Sequence, residues 1–173
     1  MDGQITGLGV FKGTDGSEYH GMFLNGMRQG KGELRDALGF FVGFFEDDLR
    51  TGYGKQVYKN MKFLPSDSEN SGNDAESDEC EENDTVYEGQ FVRDKRQGTG
   101  KIVYADGSMY VGEFYDDRRH GHGVITLPDK TIETEFSEDR MGPEVQLTYE
   151  NGDFYEGEHA DGTPDGKGRM KYA

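Results

Sequence analysis

A short internal period constrains this chain more than any other feature. Tyr19-His20-Gly21-Met22-Phe23, Phe41-Val42-Gly43-Phe44-Phe45, Tyr87-Glu88-Gly89-Gln90-Phe91, Tyr110-Val111-Gly112-Glu113-Phe114 and Tyr155-Glu156-Gly157-Glu158-His159 repeat one pattern, ring-x-Gly-x-ring. Seven residues past the last ring of each comes Gly-x-Gly, at Gly30/Gly32, Gly52/Gly54, Gly98/Gly100, Gly121/Gly123 and Gly166/Gly168. First-column positions 19, 41, 87, 110, 132 and 155 step by 22, 46, 23, 22 and 23, a period of 22–23 with one doubled interval. Such a period means that one supersecondary unit is copied along the chain and that each copy contacts only its neighbours. Gly7 and Gly9 read as the second half of a unit whose first strand is absent.

Each unit reads as a β-hairpin. Residues i, i+2 and i+4 of a strand share a face, so Tyr19, Gly21 and Phe23 point the same way. The bare glycine between two rings leaves room for an aromatic of the neighbouring strand to lie across the backbone, offsetting glycine's poor strand propensity. Asn25-Gly26, with Asp48, Asp94, Asp117 and Asp139 later in the Gly26 column, marks the tight turn, because Asn, Asp and Gly best tolerate positive φ. A lone hairpin is marginal in water, so the units must stack. The predicted fold is all-β, an elongated single-layer antiparallel sheet of stacked hairpins shaped as a rod or trough. A half hairpin plus six units predicts about 13 strands and roughly 60 Å of sheet. The unit at 132–152 departs from the pattern: Ile132-Glu133-Thr134-Glu135-Phe136 lacks the first ring and the central glycine, and Gly142-Pro143 arrives one residue early. A bulge or change of curvature is predicted near 139–146.

These columns resemble the MORN repeat (membrane occupation and recognition nexus), whose consensus Tyr-x-Gly-x-Phe-x-x-Gly-x-x-x-Gly-x-Gly five units match closely. The resemblance covers the chain except about residues 64–85. It divides the chain into repeats over 1–63, an acidic insertion over 64–85 and four further repeats over 86–173. It implies a single-layer sheet of hairpins. Because MORN-repeat proteins include radial spoke head subunits, cytoskeletal scaffolds and membrane-cytoskeleton tethers, it also implies a docking role in a cytoskeletal or ciliary assembly. Similar repeats precede lipid kinase and lysine methyltransferase domains, so the resemblance equally admits the N-terminal module of a larger enzyme. The family name suggests a phosphoinositide or membrane tether as a further alternative.

Composition narrows the partners. Leu, Ile, Val and Phe make up only 32 of 173 residues and the net charge is -16, a combination that normally signals disorder. Disordered chains are poor in aromatics, however, and this one has 11 Phe and 10 Tyr in register with its glycines. With 35 acidic against 19 basic residues, it lacks the Lys/Arg excess that phosphate backbones and anionic headgroups require. Nucleic acid is therefore excluded as a partner, and direct lipid binding is disfavoured. Met1-Asp2-Gly3-Gln4 lacks the basic and apolar regions of a secretory signal, and the single cysteine, Cys80, forms no internal disulfide. Both point to a cytoplasmic protein. Residues 65–85 hold nine Asp/Glu, no Lys/Arg and no aromatic, which predicts a disordered acidic loop.

Candidate sites follow from the columns. The aromatic face is formed by Tyr19, Phe41, Tyr87, Tyr110 and Tyr155 in the first column and by Phe23, Phe45, Phe91, Phe114 and Phe136 in the second. A single-layer sheet cannot bury both faces, so this surface is the first candidate for a groove that takes a partner's helix or extended segment. The competing reading is that the rings pack on themselves over the glycines. Arg28, Arg50, Arg96, Arg119 and Arg140 occupy one column about 10 Å apart, a candidate ladder for an acidic partner. The competing reading pairs each with an acidic turn residue or stacks it on a ring of the next unit. Ser66 and Ser71, with Glu69 and Asp74 three residues on, resemble acid-directed phosphorylation sites. The open C-terminal edge offers a homodimer contact. His120-Gly121-His122 lacks a third ligand nearby, and Cys80 sits among carboxylates that suppress its thiolate. The sequence accordingly predicts no metal, no cofactor and no catalytic residue.

Overall fold

Turn chemistry sets the repeat. In a computed structural model that describes residues 5–59 and 84–173, the strand carrying each pentad ends in a two-residue turn with both residues at positive φ: Asn25/Gly26, Asp47/Asp48, Arg93/Asp94, Asp116/Asp117, Glu138/Asp139 and Asp161/Gly162. Such turns match the right-handed twist of the strands they join. They fold the chain into strands β1 (Gly7–Lys12), β2 (Glu18–Leu24), β3 (Met27–Asp36), β4 (Gly39–Glu46), β5 (Leu49–Tyr58), β6 (Thr85–Val92) and β7 (Lys95–Val103). The second half comprises β8 (Met109–Tyr115), β9 (Arg118–Thr126), β10 (Lys130–Ser137), β11 (Arg140–Met141), β12 (Glu144–Tyr149), β13 (Phe154–Ala160) and β14 (Thr163–Lys171).

All fourteen strands form one open antiparallel sheet in chain order, as the sequence predicts, with β11 pairing only β10. The additional strand arises at the departing unit. Gly142-Pro143 interrupts its return strand, so β10 pairs with β11 at Phe136↔Met141 and with β12 at Lys130↔Tyr149 through Glu133↔Gln146. Proline has no N–H to give a ladder, which is why the break falls there. The doubled interval does not interrupt the sheet: β5 and β6 pair over seven residues from Gly52↔Phe91 to Tyr58↔Thr85.

The two glycines of Gly-x-Gly serve different ends. The first sits at a register shift with positive φ, +61° at Gly52 and +72° at Gly98. The second lies beneath a ring: a Cβ on Gly54 would meet Phe41 carbons at 2.4 and 2.6 Å. The central glycine of the pentad lies under the same ring, since a Cβ on Gly43 would meet Phe41 at 2.4 Å. This corrects the sequence expectation. The ring over the central glycine comes from the same strand, two residues earlier, and reaches over to cover the neighbouring strand's glycine as well.

Candidate functional site

Strand alternation gives the sheet two faces, and the structure uses them differently. On the first, nine rings in the order Phe23, Tyr19, Phe45, Phe41, Phe91, Tyr87, Phe114, Tyr110, Phe136 form an unbroken ladder of edge-to-face contacts, with centroids 5.1–5.3 Å apart. The preferred geometry of aromatic quadrupoles stabilises each contact by about 1 kcal/mol beyond area burial. All nine, and Tyr155, are at most 7% exposed. The residues proposed from sequence as a groove are thus packed on one another, with almost no surface left to offer a partner. Tyr19, Tyr87, Tyr110 and Tyr155 donate their hydroxyls to the carbonyls of Met22, Gln90, Glu113 and Glu158, each three residues on. Burial raises the phenol pKa of Tyr87 and lifts that of Tyr110 to about 12.

The arginine column closes the ladder. Arg28 donates through its backbone N and Nε to Asp48 Oδ1 at 2.8 and 3.2 Å and through Nη2 to the Asp48 carbonyl at 2.6 Å, while Asp48 N–H returns a bond to the Arg28 carbonyl at 3.1 Å. The guanidinium sits 5.7 and 4.9 Å from the Tyr19 and Phe45 centroids, spanning two units. Arg50–Asp94, Arg96–Asp117 and Arg119–Asp139 repeat the arrangement, each over a ring of its own unit and one of the next. Four of the five arginines read as a ladder for an acidic partner are therefore engaged within the molecule, by the acidic turn and the ring faces at once. Arg140, placed in this column from sequence, does not belong to it: Met141 stands opposite Phe136 as Arg28 stands opposite Phe23, whereas Arg140 stands opposite Ser137 as Met27 stands opposite Leu24. The glycine counted from arrives one residue early, so Arg140 lies on the other face of the sheet and has no ion-pair partner among the described residues.

The departing unit substitutes other chemistry. Ile132, Val145, Leu147 and Tyr155 form a second, mostly aliphatic cluster, joined to the first through Ile125 and Met141. His159, in the second ring column, lies with Nε2 2.7 Å from the Gly142 carbonyl, accepts the Gly162 N–H at Nδ1, and so ties the last hairpin to the interrupted one.

The second face is exposed and was not singled out from sequence. Cross-strand registers place Leu8, Val10, Met22, Leu24, Met27, Phe44, Leu49, Tyr53, Val92, Val111 and Tyr115 on it, eleven of the sixteen exposed large hydrophobics among the described residues. These are the x positions of the repeat, which a search for fixed columns passes over. The usable signal was the apolar residues at x in the first two pentads, Met22, Val42 and Phe44. His122, from the weighed His-x-His, lies on this face with Nε2 2.9 Å from Glu133, and no group of three potential ligands able to hold a metal occurs among the described residues. Ser66, Ser71, Cys80 and nearly all of the acidic insertion lie outside the described residues.

An open sheet of stacked hairpins, zipped by rings on one face and exposed on the other, defines a β-repeat protein. The family model described as MORN repeat matches residues 1–18, 19–37, 41–60, 87–109, 110–132 and 155–173, and the chain belongs to that family. The unmatched stretches are residues 38–40, 61–86 around the insertion and 133–154 in the interrupted unit. The search of curated proteins returned no match.

Proposed function

We propose that this chain is a non-catalytic scaffold that docks other proteins within a cytoskeletal or ciliary assembly. The observation that carries the docking part is the division of labour between faces: the rings and four arginines hold the molecule together, leaving the opposite face with eleven exposed large apolar side chains of the kind that mark interaction sites. The cytoskeletal or ciliary part rests on the family alone. A phosphoinositide tether has less support, because the cationic column it would use is already bound to aspartates.

Docking is tested by placing a photo-cross-linking amino acid in the full chain, one position at a time: Tyr53 and Glu135 on the exposed face, Leu38 at the inter-unit loops and Glu138 at the turns. Irradiation in source cells is expected to give a discrete adduct with another protein; no adduct at any of the four positions sinks the docking reading. Detergent extraction tests the location. Retention in the insoluble pellet is expected, and full release removes the cytoskeletal assignment.

A further inference from the structure

One column of the exposed face changes character along the molecule while the ring columns barely vary. The second x of the pentad reads Met22, Phe44, Gln90, Glu113, Glu135, Glu158: apolar, then amide, then carboxylate, at about 10 Å per unit. Residues around it follow the same gradient. Leu8 pairs directly with Met22, whereas at the other end Glu144 stands directly opposite Glu158. Like charges placed opposite each other in an antiparallel pair destabilise the sheet. Glu135, Glu144 and Glu156 make no close ion pair among the described residues, although Glu156 stands opposite Arg169, and they line a groove of about 270 Å³ with His122, Glu133 and Gln146. The face is thus richest in exposed apolar side chains at β1–β5 and in carboxylates at β10–β13, where Arg140 and Arg169 are the facing arginines.

We propose that this face docks a polypeptide segment with an apolar half, seated over Met22, Phe44 and Tyr53, and a Lys/Arg-bearing half, seated over Glu135, Glu144 and Glu156. The proposal rests on the docking reading and adds to it the face used and the partner's chemistry. Charge complementarity selects this occupant over the others. An anionic membrane is repelled by the carboxylates. A second copy of the chain sets acidic half on acidic half if aligned, and acidic half on apolar half if reversed, leaving the carboxylates unneutralised either way. From β2 to β13 there are ten strand steps in the sheet order, about 48 Å, which about 14 extended or 32 helical residues would cross.

The probe is a pair of fluorescein-labelled peptides of about 30 residues, Leu/Phe in one half and Lys/Arg in the other, made in both chain directions. Controls have scrambled order or Glu in place of Lys/Arg. Polarisation with the full chain should show one direction binding at least tenfold more tightly than both controls. Glu135→Lys with Glu156→Lys, and separately Phe44→Ser, should each weaken it at least tenfold, and unchanged circular dichroism and Tm would show these exposed substitutions leave the fold intact. Equal binding of peptides and controls, or binding indifferent to both variants, overturns the proposal. So does preferential binding to phosphatidylserine vesicles, or self-association in sedimentation that the same variants abolish. If the peptides fail while cross-links persist at Leu38 or Glu138, the docking reading survives and this face does not; loss of every adduct discards both.

Discussion

The glycines beside the rings divide into two kinds whose substitution costs differ in origin. Gly54→Ala drives a methyl into the Phe41 ring at 2.4 Å and lifts it off the sheet, an overpacking cost of about 3 kcal/mol. Gly52→Ala meets nothing closer than 3.9 Å and suffers only its φ of +61°, about 1–2 kcal/mol. Urea unfolding of the two variants should rank them in that order. Phe41 is the one first-column ring among the matched pentads without a hydroxyl, so Phe41→Tyr should gain the bond its counterparts make to the carbonyl three residues on, raising stability by about 1 kcal/mol. The buried phenols also set an alkaline limit. Their pKa values are higher folded than unfolded, so above pH 10 the unfolded chain loses protons that the folded chain keeps, and stability falls as pH rises from about 10 through about 12 at Tyr110. Circular dichroism and absorbance at the phenolate band, followed together against pH, should show the final phase of ionisation coinciding with unfolding.

At the scale of the hairpin, stability lies between units. Arg96 joins one unit to the next through a turn aspartate and two rings, so Arg96→Ala should cost about 2 kcal/mol, and Arg96→Lys should recover only part, because an ammonium cannot fork between Oδ1 and a carbonyl. Arg140→Ala, one register position nearer its turn and on the opposite face of the sheet, should change stability by less than about 0.5 kcal/mol. Thermal unfolding of the two variants separates a clamped arginine from an exposed one beside a turn. The hairpins and their turns were legible in the sequence because each depends on residues a few positions apart. The clamp was legible only as one of two options for the arginines, because choosing between them requires knowing where the next turn lies.

Across the whole molecule, the ladder and clamp pass the insertion without interruption. Phe41–Phe91 centroids lie 5.2 Å apart, Arg50 Nε lies 2.9 Å from Asp94 Oδ1, and Tyr58 pairs with Thr85. Replacing residues 59–84 with Tyr-Ala-Asp-Gly-Ser, which joins β7 to β8 at residues 104–108, should therefore leave the sheet intact. The shorter closure should raise stability by about 1.5 kcal/mol. A calorimetric Tm below that of the parent would show that the segment contributes to the fold.

The sequence by itself determined the repeat, the strand count to within the split return strand, the turn positions and the site of the irregular unit, since these follow from chain-local sterics: positive φ, missing side chains and the period of two in a strand. Which face would be free was decided by tertiary structure. Alternation sorts side chains into two sets without saying which is covered, and the aromatic set was read from sequence as the open groove. Rings lying flat over glycines of two strands, edge to face with rings of adjoining units and capped by arginines, close that surface. They leave the variable positions, which a periodic reading averages away, as the face that meets solvent.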